Sequence, residues 1–199
     1  MLVIRKFLIN LLRYVVCIGE IIANRTGMTI EELLKDKTIK SKEKTEIISK
    51  WIIEKSLPID ELIAFAEKQK DPVKGTCIEA IEYATKQHPE IADENVLNFV
   101  TETLTSKAAR IKWESAKVIG NIAHLFSTRL KAPIANLLIN TKDEGTVVRW
   151  SSAFALGEIL KLKTEYNKDL LPAIEGISKK EDKKSIQKIY LDALKALKK

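Results

Sequence analysis

The chain has 199 residues, 45% of them hydrophobic and 31% charged, with 34 basic and 27 acidic side chains and a formal charge of +7. That balance excludes a disordered polyelectrolyte, a collagen-like fibre and a protein built mainly of membrane spans. With only 7 glycines and 5 prolines, and no sustained apolar–polar alternation rich in β-branched residues, strands have little support and the class is all-α.

Residues 2–23 are apolar but interrupted by Arg5, Lys6, Arg13 and Glu20. No run reaches the roughly 18 apolar residues that a span requires, so no stable membrane span is expected. On a helical wheel Ile4, Phe7, Leu8, Leu11, Val15, Ile18 and Ile22 share one face, while Arg5, Lys6, Asn10, Arg13, Glu20 and Asn24 share the other. Residues 1–27 are therefore expected to form an amphipathic helix packed on the first repeat. A membrane-surface helix and a native start at Met28 are the alternatives left open by the sequence.

Residues 28–199 are expected to form one repeat domain. Thr29-Ile30-Glu31-Glu32 is a capping box, in which the Thr29 hydroxyl and the Glu32 carboxylate each satisfy a free amide at a helix start. A short helix follows through Leu33 and Leu34. Residues 35–44 are a Lys-rich connection or solvated helix start, and Ile47, Ile48, Trp51 and Ile52 make the apolar stripe of the next helix. Pro58 interrupts it. Helices are then expected over 58–69, from 71 onward with Asp71 as N-cap and Pro72 at the first helical position, over 89–104, 108–126, 130–140, 147–162, 168–177 and 182–197. The last should bury Ile186, Ile189, Tyr190, Ala193, Leu194 and Leu197.

Two of these helices carry nearly the same string. Ile111-Lys112-Trp113-Glu114-Ser115-Ala116-Lys117-Val118-Ile119-Gly120 returns as Val148-Arg149-Trp150-Ser151-Ser152-Ala153-Phe154-Ala155-Leu156-Gly157, a constant offset of 37 residues. Val73 and Ile186 extend the register to 38 residues before and 38 after, the spacing of stacked helical hairpins. Val148-Arg149-x-x-Ser152-x-x-Ala155-Leu156-Gly157-x-Ile159 resembles the second helix of a HEAT repeat. The third unit has Lys112 and Ile119 at the Arg and Leu positions, and Glu82 and Lys195 replace the Gly in the second and fifth. The resemblance covers about residues 58–199. It implies a right-handed α-solenoid of about five HEAT-like hairpins, preceded by the N-terminal amphipathic helix, with second helices lining a concave face. HEAT-like proteins act mostly as adaptors and scaffolds, so the resemblance implies a partner protein or peptide.

Catalytic chemistry has no constellation. His88 and His124 lie in different repeats without Cys or carboxylate neighbours at ligand spacing, which speaks against a metal site, and no nucleophile elbow, phosphate loop or metal-binding helix motif occurs. No cofactor and no enzymatic activity are expected. Acidic pairs such as Glu31-Glu32, Asp60-Glu61 and Asp143-Glu144 lie near helix starts, where the helix dipole favours them. Cys17 and Cys77 sit in apolar helical patterns and read as core residues of a reducing compartment, with the cytoplasm as the expected location.

The expected site is a ridge. At about 100° per residue, Val148, Ser152, Ala155, Leu156 and Ile159 face the core, which puts Trp150, Phe154, Gly157 and Lys161 on the opposite side. Trp113, Lys117, Gly120 and His124 follow in the preceding repeat. Trp113, Lys117, His124, Arg149, Trp150, Phe154 and Lys161 are thus the candidate partner-binding residues, since exposed aromatics flanked by cations compose an interaction hot spot. Two structural roles compete with this. The tryptophans would cover each other between helices, and Lys112 and Arg149 would brace adjacent repeats through loop acids such as Asp143.

Charge keeps nucleic acid as the alternative partner: it is +4 over residues 1–57, −3 over 58–126 and +6 over 127–199. HEAT-like glycosylases that remove alkylated bases are similar in size, helical architecture and basic charge, with tryptophans in a concave cleft. That family has a catalytic aspartate one turn beyond a cleft tryptophan; here Lys117 and Phe154 take those places, so the resemblance supports binding and not base excision.

Overall fold

The computed structural model describes residues 27–197, all of them in helices, turns and irregular links with no strand. The amphipathic segment expected over residues 1–27 lies outside the described residues except for Gly27. The chain divides into two compact units, Met1–Lys40 and Ser41–Lys199. In the first, helix α1 (Ile30–Lys35) opens on the expected capping box: the Thr29 amide donates to Glu32 Oε2 at 2.8 Å and the Glu32 amide donates to Thr29 Oγ1 at 3.3 Å.

The second unit is an α-solenoid. Its described helices are α2 (Ser41–Ile53), α3 (Ile59–Glu67), α4 (Asp71–Gln87), α5 (Glu94–Thr103), α6 (Ala109–Ile122), α7 (Lys131–Asn140), α8 (Thr146–Lys161), α9 (Asn167–Lys180) and α10 (Lys184–Ala196). The helices α2, α4, α6, α8 and α10 stack on one another in chain order, and α3, α5, α7 and α9 each pack on the helix that follows. Each repeat thereby buries one stripe against its own partner and another against the next repeat, which is how a solenoid makes a continuous core. On α4 the stripe is Cys77, Ala80, Ile81 and Ala84; on α8 it is Val148, Ala155, Leu156 and Ile159, all fully buried.

Sequence and structure differ at several ends. Asp71 is the first residue of α4 and not its cap; Lys70 holds that position, and no side chain caps the helix. Residues 89–104 divide into a 3₁₀ turn, Pro89–Ile91, and α5, because the Asp93 carboxylate accepts the Val96 amide and starts a new helix there. The helix expected over 108–126 likewise tightens into a 3₁₀ turn at Ala123–Phe126. In α10 only Ile186, Tyr190 and Ala193 of the expected set are fully buried.

Candidate partner-binding face

On α8, Trp150 is 40% exposed and Phe154 is half-buried one turn later. Their rings stack with centroids 6.1 Å apart and planes inclined by 9°. The Phe154 ring lies directly over Gly120 of α6, where even a single Cβ would overlap its edge. Gly120 is thus a socket that lets α8 approach α6 and fixes the phenyl ring, which in turn supports one face of the Trp150 indole. Gly157, the equivalent residue of α8, meets the next helix less tightly: an added Cβ would make ordinary contacts with Ala193 and Ile189, at 3.4 and 3.7 Å. Both glycines were expected on the open side and are instead buried between second helices. A helical wheel orders residues around one helix and does not show where a neighbouring helix comes close enough to cover them.

Trp113 has a different environment. It is half-buried, and its indole nitrogen donates to Glu114 Oε1 at 2.7 Å. The other oxygen of Glu114 accepts from Lys117 Nζ at 2.9 Å, and Lys117 reaches across to Glu82 of α4 at 3.1 Å. Both carboxylates are almost fully buried, at 4% exposure each. Burial pushes the Glu114 carboxyl above its usual range, against the opposing bonds from Lys117 and Trp113. Burial alone would lower Lys117, but its bonds to Glu114 and Glu82 outweigh it and hold the ammonium protonated. One step along the ladder, Glu79 accepts from Arg110 Nη2 at 2.7 Å and from the Thr45 hydroxyl at 2.9 Å. Glu114 escaped the sequence reading, although a Trp-Glu-x-x-Lys string on one helix turn was a legible sign of it.

Arg149 lies at the N-terminal end of α8 as an inter-repeat brace. It donates to both oxygens of Glu181, to Asp182 and to the carbonyls of Asp143 and Glu144. The Glu181 bonds raise its already high pKa further. Lys112, one repeat earlier, pairs with Asp143 at 2.8 Å. Burial would raise Asp143, yet the bonds from Lys112 and the Gly145 amide hold it below its usual range. The remaining two candidates stay apart from the ridge. His124 is exposed in the 3₁₀ turn after α6, and Lys161 pairs with Glu158 on its own helix at 2.6 Å. Trp150 and Phe154 form the one stacked aromatic pair among the described residues, so the two tryptophans do not cover each other by stacking.

Among the described residues no group of three metal-ligating side chains gathers, and no helix is long and apolar enough to cross a membrane. Cys77 is fully buried on α4, and desolvation pushes its thiol up to about 12, which makes it a core residue and not a nucleophile.

No family model and no curated protein matches the chain. Solved structures do. A computationally designed armadillo repeat protein for modular peptide recognition is similar over 84% of this chain and 80% of its own, at 17% identity and a TM-score of 0.66. A designed armadillo repeat protein in complex with the peptide (KR)4 is similar over 84% and 79%, at 17% identity and a TM-score of 0.63. An engineered protein matches over 85% and 79%, at 19% identity and a TM-score of 0.65. At these identities the likeness is one of fold: the chain is an armadillo-like α-solenoid of helical repeats.

Proposed function

We propose that the protein is a non-catalytic scaffold that binds a peptide segment of another protein along the exposed face of its second helices, with Trp150 as the anchor. The observation that carries this reading is the half-open indole of Trp150, backed by a Phe154 ring that Gly120 holds in place. A large apolar surface already ordered before binding loses little entropy on contact, which is the property of a hot-spot residue. Trp113 extends the ridge to the preceding repeat. The solved structures of similar fold include one designed for peptide recognition and one crystallised with a peptide, which is in keeping with this use of the ladder.

The charges favour a peptide over nucleic acid. Arg110, Lys112, Lys117 and Arg149, the cations on or beside the ridge, are each paired with a carboxylate of this chain. Phosphate recognition needs unpaired cations, and contact with a phosphate backbone would require breaking these pairs.

The test is partner capture with wild-type protein and Trp150→Ala, beside a gel shift with single- and double-stranded DNA and RNA at low and moderate salt. The expected outcome is loss of the captured partner in the variant, with an unchanged melting temperature and no shift. An unchanged partner list removes Trp150 from the site, and a salt-sensitive shift replaces the peptide by nucleic acid.

A further inference from the structure

Asparagines staple two gaps of the outer row, Asn95 of α5 donating to Asp60 of α3 at 3.2 Å and two residues of α7 reaching α5, while the α7–α9 gap has no such bond among the described residues. Asn136 and Asn140 of α7 donate to the Thr101 and Leu104 carbonyls at the end of α5, each at 3.0 Å. On α9 the positions 40 residues on, in register with the buried pairs Leu130/Leu170 and Ile134/Ile174, are Gly176 and Lys180. Neither supplies a staple. The α7–α9 contact is accordingly the thinnest between neighbouring outer helices, made at one end by the Tyr166 hydroxyl donating to the Thr128 carbonyl at 2.7 Å. At the other end a wedge of about 530 Å³ stands open, walled by Leu138, Pro172, Ala173 and Ile177. A Cβ added at Gly176 would meet nothing within 4 Å. The floor is closed by Arg149, whose donors are taken by Glu181, Asp182 and two backbone carbonyls. The lips carry Lys142 on one side and Lys180 on the other; both line the wedge, and neither has an ion pair with the described residues.

We propose that this wedge is a second docking site, which takes an acidic peptide segment of a partner protein: one large apolar side chain enters the slot and flanking carboxylates meet Lys142 and Lys180. Its size lies in the range of ligand pockets, large enough for one apolar side chain with part of its flanking segment, and its apolar walls are bordered by charged groups. The sign follows from the lining: Lys142, Arg149 and Lys180 outnumber Glu181 and Asp182 by one charge, and Arg149 is shared between the two acids while the lip lysines have no ion pair with the described residues. A basic segment would face repulsion at both lips. Arg149 borders both places, but neither Trp150 nor Phe154 lines the wedge, and the proposal does not depend on the aromatic ridge.

Random peptides displayed on phage, selected against the full chain and then measured by fluorescence anisotropy, test the proposal. Three variants accompany the wild type: Gly176→Leu to fill the slot, Lys142→Glu with Lys180→Glu to reverse the lips, and Trp150→Ala to remove the ridge. The expected result is a class of peptides with a Leu, Phe or Trp between Asp or Glu residues. Their affinity falls at least about tenfold in each wedge variant, the loss of one anchor, and is unchanged in Trp150→Ala. The lip variant is confined to exposed side chains, so it remains informative even if Gly176→Leu lowers the melting temperature. Recovery of no such class, enrichment of Lys- or Arg-flanked peptides that depend on the wedge, or a wedge that takes palmitate and no peptide would each overturn the proposal.

Discussion

At the scale of single residues, two positions decide whether the ridge exists in the form described. Gly120 tolerates no Cβ while Phe154 lies over it, so Gly120→Ala forces ring or helix to move and is expected to destabilise by about 1–3 kcal/mol. Thermal unfolding checks this, and Phe154→Leu in the same chain is expected to recover part of the loss, because coupled neighbours are not additive. Lys117 is the second. It separates two buried carboxylates, and Lys117→Met leaves Glu82 and Glu114 without their ammonium, at roughly 3 kcal/mol for breaking a buried pair. The pH dependence carries the sign. A carboxyl whose folded pKa lies above its unfolded value contributes stability that is present at low pH and lost as pH rises through the folded pKa. Glu114 is already raised by burial, and loss of Lys117 raises it further, so the variant should gain stability as pH falls from neutral toward the ordinary carboxyl value of 4.5. A melting temperature that falls over that window contradicts the assignment of Lys117 as the shared counter-ion.

At the scale of elements, the braces and staples hold neighbouring repeats in register. Asn140 is 4% exposed and donates to the Leu104 carbonyl, so Asn140→Ala is expected to cost about 1–2 kcal/mol in denaturant unfolding, leaving that carbonyl without its partner. The Asp143 pair works in the opposite pH direction to Glu114. Its folded pKa is lowered, so its contribution is present above the ordinary carboxyl value of 3.8 and lost as pH falls through the folded pKa. Lys112→Met should therefore shift acid unfolding to higher pH. Much of this level was legible in the sequence. The offset of 37 residues gave the stacking of α6 and α8, Thr29 and Glu32 gave a cap, and the brace role of Lys112 and Arg149 followed from the resemblance to HEAT repeats, where that position has this use. What was hidden depends on distances between helices. Gly120 and Gly157 carry no side chain whose character could be read, the approach of Lys117 to Glu82 on the neighbouring helix depends on the spacing of α4 and α6, and the unstapled α7–α9 gap follows from two missing amides in a row that the second-helix pattern does not report.

At the scale of the molecule, the second unit is a ladder of helical hairpins stacked in chain order, so successive second helices offer a continuous row of side chains. The basic C-terminal third suggested phosphate binding, yet the cations along the ridge are internally paired, and net charge separates from local availability. Peptide binding at Trp150 should accordingly vary little between 50 and 200 mM salt, whereas a protein making 6–10 phosphate contacts loses roughly 10³-fold or more over that range. The most direct measurement is the set of indole N–H resonances of Trp51, Trp113 and Trp150 in ¹H–¹⁵N spectra during titration with the captured partner segment. The expected result is a large shift at Trp150, a smaller one at Trp113 and none at Trp51 on α2. A saturating titration that leaves the Trp150 resonance in place would contradict the ridge as the binding face.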